Sequence, residues 1–158
     1  MATTNLYLPS NDDDGAYDDA TIIRTNHDGT LVARRRHKIN DDKNDELVKP
    51  ETALLANELP EDGVPDMTRL NHLHEPALLA NLRLRFEKDL VYTYTGRIVI
   101  AVNPFNWAVS KPLYDPAVLR SYRGAEQSDR PPHVYHIAES AYRRVCDASA
   151  SSDGPTNQ

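Results

Sequence analysis

Apolar positions repeat at helical spacing in two places along the chain, and a third helix is marked by its caps. Leu78, Leu79, Leu82 and Phe86 fall on one helical face, with Arg83, Arg85 and Glu87 largely elsewhere. Glu75-Pro76 opens that run, where proline's missing N–H costs nothing and the carboxylate meets the helix dipole. The spacing predicts a helix over residues 75–87. Val134, Ile137, Ala138, Ala141, Tyr142 and Val145 follow an i, i+3, i+4, i+7, i+8, i+11 pattern after Pro131-Pro132, which predicts the most regular helix at 133–145. Asp115-Pro116 is a cap followed by a first-turn proline, opening a helix through Tyr122 that Gly124 ends.

Strand signals lie between and before these helices. Residues 90–94 and 97–102 are β-rich and meet at Thr95-Gly96, which predicts a hairpin. Ile98-Val-Ile-Ala-Val102 lacks alternation, so both its faces should be covered, as in a central strand of a layered α/β structure. Pro104 cannot donate to a ladder, so pairing should stop at Asn103. Thr21–Thr25 and Thr30–Arg34 flank Asn26-His-Asp-Gly29, a second hairpin signal. With one further short strand at 46–50, these pieces suit a small barrel over residues 20–50. Residues 1–19 are polar and predict a loose arm. Residues 51–65 read as a linker, Asp66 as the N-cap of a short turn through Leu70, and 147–158 as a Ser-, Asp- and Gly-rich loop.

Composition narrows the function classes. The formal net charge of −6 argues against nucleic acid as a partner. Cys146 is the one cysteine, which excludes an internal disulfide and favours a reducing compartment. No apolar run approaches the ~20 residues of a membrane span, and the first residues lack the pattern of a signal peptide. The expectation is a soluble, cytoplasmic chain.

Candidate chemistry is sparse. His72 and His74, and His133 and His136, have spacings that metal ligands use, but no further ligands complete a site; capping and surface roles are the simpler reading. Arg34-Arg-Arg-His-Lys38 fits a solvated edge better than a polyanion contact. Cys146, expected at a helix C-terminus, is a poor nucleophile there. The sequence has no Gly-x-Gly-x-x-Gly, no Gly-x-x-x-x-Gly-Lys-Ser/Thr and no Gly-x-Ser-x-Gly, so no complete catalytic apparatus is expected. The break at Val102-Asn103-Pro104 remains. Loops at the ends of central strands commonly hold ligands. Asn103 can donate to and accept from a heterocycle edge, and Tyr114 offers a flat face with a polar tip. The competing reading is that Asn-Pro only ends the strand and Tyr114 packs on Trp107.

Several motifs in order carry a family resemblance. Asp66-Met-Thr-Arg-Leu-Asn-His-Leu-His-Glu-Pro through Phe86 resembles the opening of a myosin motor domain. Tyr92-Thr-Tyr-Thr-Gly96, Val102-Asn-Pro-Phe105, Pro112-Leu-Tyr114, Tyr122-Arg-Gly124 and Pro132-His-Val-Tyr-His-Ile-Ala-Glu-Ser-Ala-Tyr142 follow in the family's order. The match spans residues 66–145 and looks closer to unconventional myosins than to muscle myosin.

The resemblance implies a mixed α+β and α/β architecture. An SH3-like barrel at 20–50 would precede the first helices and transducer-sheet strands of a P-loop-type head, at 66–146. It implies that Asn103, Pro104 and Tyr114 are the adenine-side residues of an ATP site. The sequence departs from the family by a longer Asn103-to-Tyr114 span and by Asn106, where a basic residue is frequent. The chain stops at Thr156-Asn-Gln158, before the family's phosphate loop. The expectation is an N-terminal piece of a head, from a truncated gene product or an incomplete gene model, with no catalytic residues of its own. ATP and Mg²⁺ are implied for the complete head, and neither is expected to bind this piece tightly. Actin filaments and the missing C-terminal part of the head are the implied partners, in a cytoskeleton-associated location. The alternative is a non-enzymatic interaction module using the SH3-like barrel or an exposed sheet edge. A small unrelated α+β domain is a third reading.

Overall fold

The computed structural model describes residues 4–10, 16–36 and 45–152. The chain forms two compact units, Met1–Pro60 with Leu70–Ala80, and Glu61–Arg69 with Asn81–Gln158.

The first unit is built on an antiparallel sheet in the order β4-β3-β2-β1-β5, comprising β1 (Asn5–Pro9), β2 (Tyr17–Thr25), β3 (Leu31–Arg35), β4 (Asp45–Val48) and β5 (Leu54–Leu55). Leu6, Leu8, Ala20, Ala33 and Val48 form its core, with Ile22, Leu31 and Ala53 packed against them. The β2–β3 hairpin turns at Asn26–Thr30, where Gly29 takes a φ of 86° and Asp28 accepts from the Thr30 N–H. A bulge between Ile22 and Arg24 shifts the register and leaves Ile23 exposed.

This sheet corrects two expectations. The stretch read as a loose arm, 1–19, contains β1 and the start of β2. Three consecutive apolar residues suffice because both faces of β1 are covered. Leu6 and Leu8 enter the core, and Tyr7 packs edge-on against His74 at 5.7 Å. The acidic character of that stretch is offset where Asp18 pairs with Arg35. The sheet also extends beyond 20–50, because Leu54–Leu55 of the expected linker adds an edge strand to β1. Arg34, Arg35 and Arg36 of the basic run bond Asp45, Asp18 with Glu46, and Asn5. The rest of that run, His37-Lys38, lies outside the described residues.

Helix α1 (Glu75–Glu87) has the predicted boundaries and contributes residues to both units. His74 caps it, with Nδ1 accepting from the Ala77 N–H and Nε2 bonded to the Leu55 carbonyl. The buried face differs from the leucine face. Ala77, Asn81 and Arg85 are buried, while Leu79 and Phe86 are exposed.

In the second unit, β6 (Tyr92–Thr95) and β7 (Ile98–Ala101) form the predicted hairpin around Gly96. Residues 65–66 run beside β6, where the Tyr94 N–H donates to the Pro65 carbonyl and Asp66 bridges Tyr94 in parallel. Thus 61–65 is packed structure rather than a free linker. The described residues put no further strand beside β7, so Ile98 is 65% exposed and the expected two-faced cover is not seen. Helices α2 (Trp107–Leu113), α3 (Pro116–Tyr122) and α4 (Val134–Ser152) follow. α4 runs past the expected loop boundary at 147, because Ala148 and its small neighbours continue the helix with no Gly or Pro to stop it. Cys146 is therefore inside a helix, not at its end, and is exposed.

Candidate functional site

The site grows out of the end of the β6–β7 hairpin. The Val102 N–H still reaches the Val91 carbonyl, at 3.0 Å, and pairing stops there. Asn103 Oδ1 then accepts from the Phe105 N–H at 2.9 Å, closing a tight turn over Pro104. Phe105 takes a left-handed φ of 48° within this turn and is almost fully exposed. The Asn103 amide NH₂ makes no hydrogen bond among the described residues, so both N–H donors of this exposed side chain remain for a ligand.

Asn106 caps α2 through the Ala108 N–H. This helix, Trp107–Leu113, fills most of the long span from Asn103 to Tyr114. Pro112 lies inside this helix. It is tolerated near the C-terminal end of α2, and Tyr114 follows as the C-cap. The available signal was Asn106 followed by Trp-Ala-Val.

Tyr114 is positioned by residues the sequence reading missed. Its hydroxyl is 2.7 Å from that of Tyr92 on β6. Its ring meets the edge of His133, at 6.1 Å between centroids, and that of Tyr135, at 6.3 Å. It does not bury Trp107, which is 76% exposed. Neither of the two readings offered for Tyr114 anticipated this buried anchor. The ring nonetheless remains half-exposed.

His133 is the hub of the aromatic cluster. Tyr92, Tyr122 and Tyr135 pack on it with centroids at 4.6, 5.1 and 4.5 Å. Its Nδ1 accepts from the Tyr135 N–H, capping α4 and placing the neutral ring's proton on Nε2. Burial pushes its pKa below the ordinary value, with the Leu113 carbonyl acting in the other direction. Burial, followed by the Tyr114 hydroxyl, raises the Tyr92 phenol strongly. The cluster thus holds a neutral imidazole and a phenol that stays protonated. It is a rigid platform of rings, suited to stacking and orientation rather than to proton transfer or nucleophilic attack.

Beneath the platform, Arg85 ties the elements together. Its guanidinium donates to Thr93 Oγ1 at 2.8 Å and to the carbonyls of Tyr92 and Asp62. Asn81 brackets Val64 in both directions, at 2.8 and 3.1 Å. Among the described residues no three His, Cys, Asp or Glu side chains converge to hold a metal ion, and no helix is long and apolar enough to cross a membrane.

The sequence model of the myosin head (motor domain) matches residues 64–152, more than half of the chain. The chain belongs to the myosin-head family. It is 44% identical to myosin-17 of Arabidopsis thaliana over 110 residues, covering 66% of this chain and 7% of that protein. It is 43% identical to myosin-9 and to myosin-11 of the same plant over 95 residues, 60% of this chain and 6% of each. The chain therefore spans less than a tenth of the length of these relatives. The myosin-head match covers the hairpin, the Asn-Pro turn and the aromatic cluster, and its mixture of sheet and helix agrees with the expected architecture.

Proposed function

We propose that this chain supplies the N-terminal part of an actin-based, ATP-driven myosin motor head, with Asn103, Pro104 and Tyr114 on its adenine side. The observation that carries this reading is the anchoring of Tyr114 by Tyr92 and His133, directly after an Asn-Pro turn that ends a sheet hairpin. A half-exposed tyrosine ring and an uncommitted Asn103 amide suit the flat, polar-edged face of a purine.

The residues present fit only the purine. ATP affinity at such sites comes mainly from backbone N–H groups, lysine and Mg²⁺ around the phosphates, and this sequence holds no Gly-x-x-x-x-Gly-Lys-Ser/Thr loop. The chain alone is accordingly read as inactive, with negligible affinity for ATP or Mg²⁺. In this reading the five-stranded sheet corresponds to the SH3-like barrel of myosin heads, β6 and β7 to the transducer sheet, and the location is cytoskeletal, in the cytoplasm.

The test is a chimera in which residues 64–152 replace the matching segment of Arabidopsis myosin-17. Actin-activated phosphate release is expected, with KM for ATP raised in Asn103→Ala and Tyr114→Ala. A folded chimera without release, or release indifferent to both substitutions, overturns the proposal. For the 158-residue chain, turnover above a buffer blank that Asn103→Ala abolishes would contradict the inactivity. The second reading, a non-enzymatic module binding a partner through a sheet edge, rests on β7, whose Ile98 is exposed and whose only strand partner among the described residues is β6.

A further inference from the structure

Two Asp-Gly steps lie among the described residues, Asp28-Gly29 and Asp62-Gly63, and the fold treats them in opposite ways. An aspartate before glycine can close a five-membered ring, because the next backbone nitrogen is within reach of its carboxyl carbon and glycine has no side chain to obstruct the approach. Asp28-Gly29 sits at the tip of the β2–β3 hairpin with both residues exposed. A Cβ at Gly29 would meet nothing within 4 Å, so this peptide has room to turn. Asp28 Oδ1 accepts from the Thr30 N–H at 2.9 Å and from the Thr30 hydroxyl at 2.7 Å. These bonds to the residue two positions on fold the carboxyl back along the Asp28-Gly29 peptide, towards the nitrogen it would meet.

The second step is sealed. Gly63 is buried, and a Cβ there would come within 2.6 Å of Asn81 Oδ1. The Asp62 carbonyl accepts from Arg85, and Asn81 holds both the N–H and the carbonyl of Val64. The backbone around Gly63 cannot rotate to meet the Asp62 carboxyl until these bonds open. At the hairpin tip the one bond to be broken at the nitrogen is that of the Gly29 N–H to the Asn26 carbonyl, at 3.1 Å. The Thr30 bonds hold the Asp28 carboxyl below its usual 3.8, so the neutral acid, the form that reacts, gains population towards mild acid.

We propose that Asp28 is a site of spontaneous covalent modification, isomerising through a succinimide to isoaspartate, from which the fold protects Asp62. The Gly29 nitrogen gives its proton to solvent and bonds to the Asp28 carboxyl carbon, and one carboxyl oxygen leaves as water. Water then opens the ring. Attack at the former main-chain carbonyl of Asp28 breaks its bond to the Gly29 nitrogen and leaves the chain running through the Asp28 side chain. No oxidant, metal or enzyme is needed. The turn becomes one carbon longer, so it no longer matches the Asn26–Thr30 backbone bond, and the β2–β3 hairpin loosens at its tip. The site stands on its own geometry and does not depend on the nucleotide reading.

Ageing the 158-residue chain tests it. The protein is held at pH 6 and 37 °C in heavy-oxygen water, sampled over weeks and digested with trypsin. Electron-transfer fragmentation then distinguishes isoaspartate from aspartate in each peptide. The peptide of residues 25–34 should gain isoaspartate about tenfold faster than the peptide that holds Asp62, whose step must wait for local opening. Each conversion should bring in one labelled oxygen from the ring-opening water. In concentrated urea the two rates should converge, because the fold alone separates them. Asp28→Glu cannot close the five-membered ring and should remove the product from residues 25–34, with far-UV circular dichroism unchanged. The proposal is overturned by an absence of isoaspartate at Asp28, by conversion without labelled oxygen, by equal rates at the two steps in the folded chain, or by a ratio that survives unchanged in urea.

Discussion

Arg85 and Thr93 meet through a 2.8 Å hydrogen bond, with Arg85 5% and Thr93 1% exposed. The charge is met by the hydroxyl and two backbone carbonyls, with no ion pair to a carboxylate among the described residues. Burial lowers the guanidinium's pKa, but an arginine starts so high that it stays charged. One side chain thus joins α1, the start of β6 and the segment before Met67.

Replacing Arg85 by Met should be among the most damaging single changes in the second unit. It leaves the carbonyls of Tyr92 and Asp62 and the Thr93 hydroxyl without their donor, and the expected cost is about 3 kcal/mol. Thr93→Val removes only one acceptor and should cost about 1 kcal/mol. The double variant should lose clearly less than the sum, since the second change removes a group already orphaned. Urea denaturation of the four proteins measures this. Strict additivity would show that the pair is not energetically coupled.

Gly63 and Gly29 separate backbone strain from steric conflict. Both have positive φ, 66° and 86°. A Cβ at Gly29 would meet nothing within 4 Å, whereas one at Gly63 would come within 2.6 Å of Asn81 Oδ1 and 3.0 Å of Arg85 Cγ. Gly29→Ala should cost about 1 kcal/mol for the left-handed backbone alone. Gly63→Ala should cost about 2–3 kcal/mol, because Asn81 must also leave the Val64 N–H. Equal urea midpoints for the two variants would mean that Asn81 yields freely.

Asp66 makes the turn before α1 sensitive to acid. Burial alone would raise its pKa, but the Gly96 N–H and the Thr68 N–H and hydroxyl outweigh it, holding the carboxyl below its usual 3.8. All three donors converge on Oδ1, at 3.1, 3.0 and 2.9 Å. The stability from this depressed pKa is present above the unfolded value and lost as pH falls through the folded one. Asp66→Asn should therefore flatten the stability profile below about pH 4 and cost about 1 kcal/mol at neutral pH. An unchanged acid limb in the variant would place the sensitivity elsewhere.

How legible these features were depends on which partner satisfies each backbone group. The ends of α1 and α3 could be read because Glu75-Pro76 and Asp115-Pro116 carry their own start signals. The face of α1 could not be read from polarity. Asn81 and Arg85 are buried because they bond backbone groups of residues 62–64, 17 and 23 positions before them, and in the case of Arg85 also the Tyr92 carbonyl. β1 was missed because its stability comes from two covered faces rather than from its composition. At the candidate site, the Asn103-Pro104 turn was visible. The anchor of Tyr114 was not, since Tyr92 and His133 are 22 and 19 residues away from it in sequence (114 − 92 and 133 − 114).

His133 should make the aromatic cluster respond to mild acid. Its pKa is depressed by burial, so the neutral ring is the form the fold prefers. The group's contribution is present above its unfolded value, 6.5, and is lost as pH falls through the lower folded one. Protonation puts a hydrogen on Nδ1, where the Tyr135 N–H now donates, and sets a positive charge at the N-terminus of α4. Tyr92, Tyr114, Tyr122 and Tyr135 surround the ring as neutral phenols, and Arg130, Arg85 and Asp89 are the charged groups sharing its pocket. A drop in the urea midpoint is therefore expected between pH 8 and about pH 5. His133→Asn keeps a capping oxygen but cannot titrate, so it should lose stability at pH 8 through poorer packing and show a shallower drop. Tyrosine fluorescence and helical circular dichroism would follow the cluster and α4 together. A drop of the same size in the variant would remove His133 as its source.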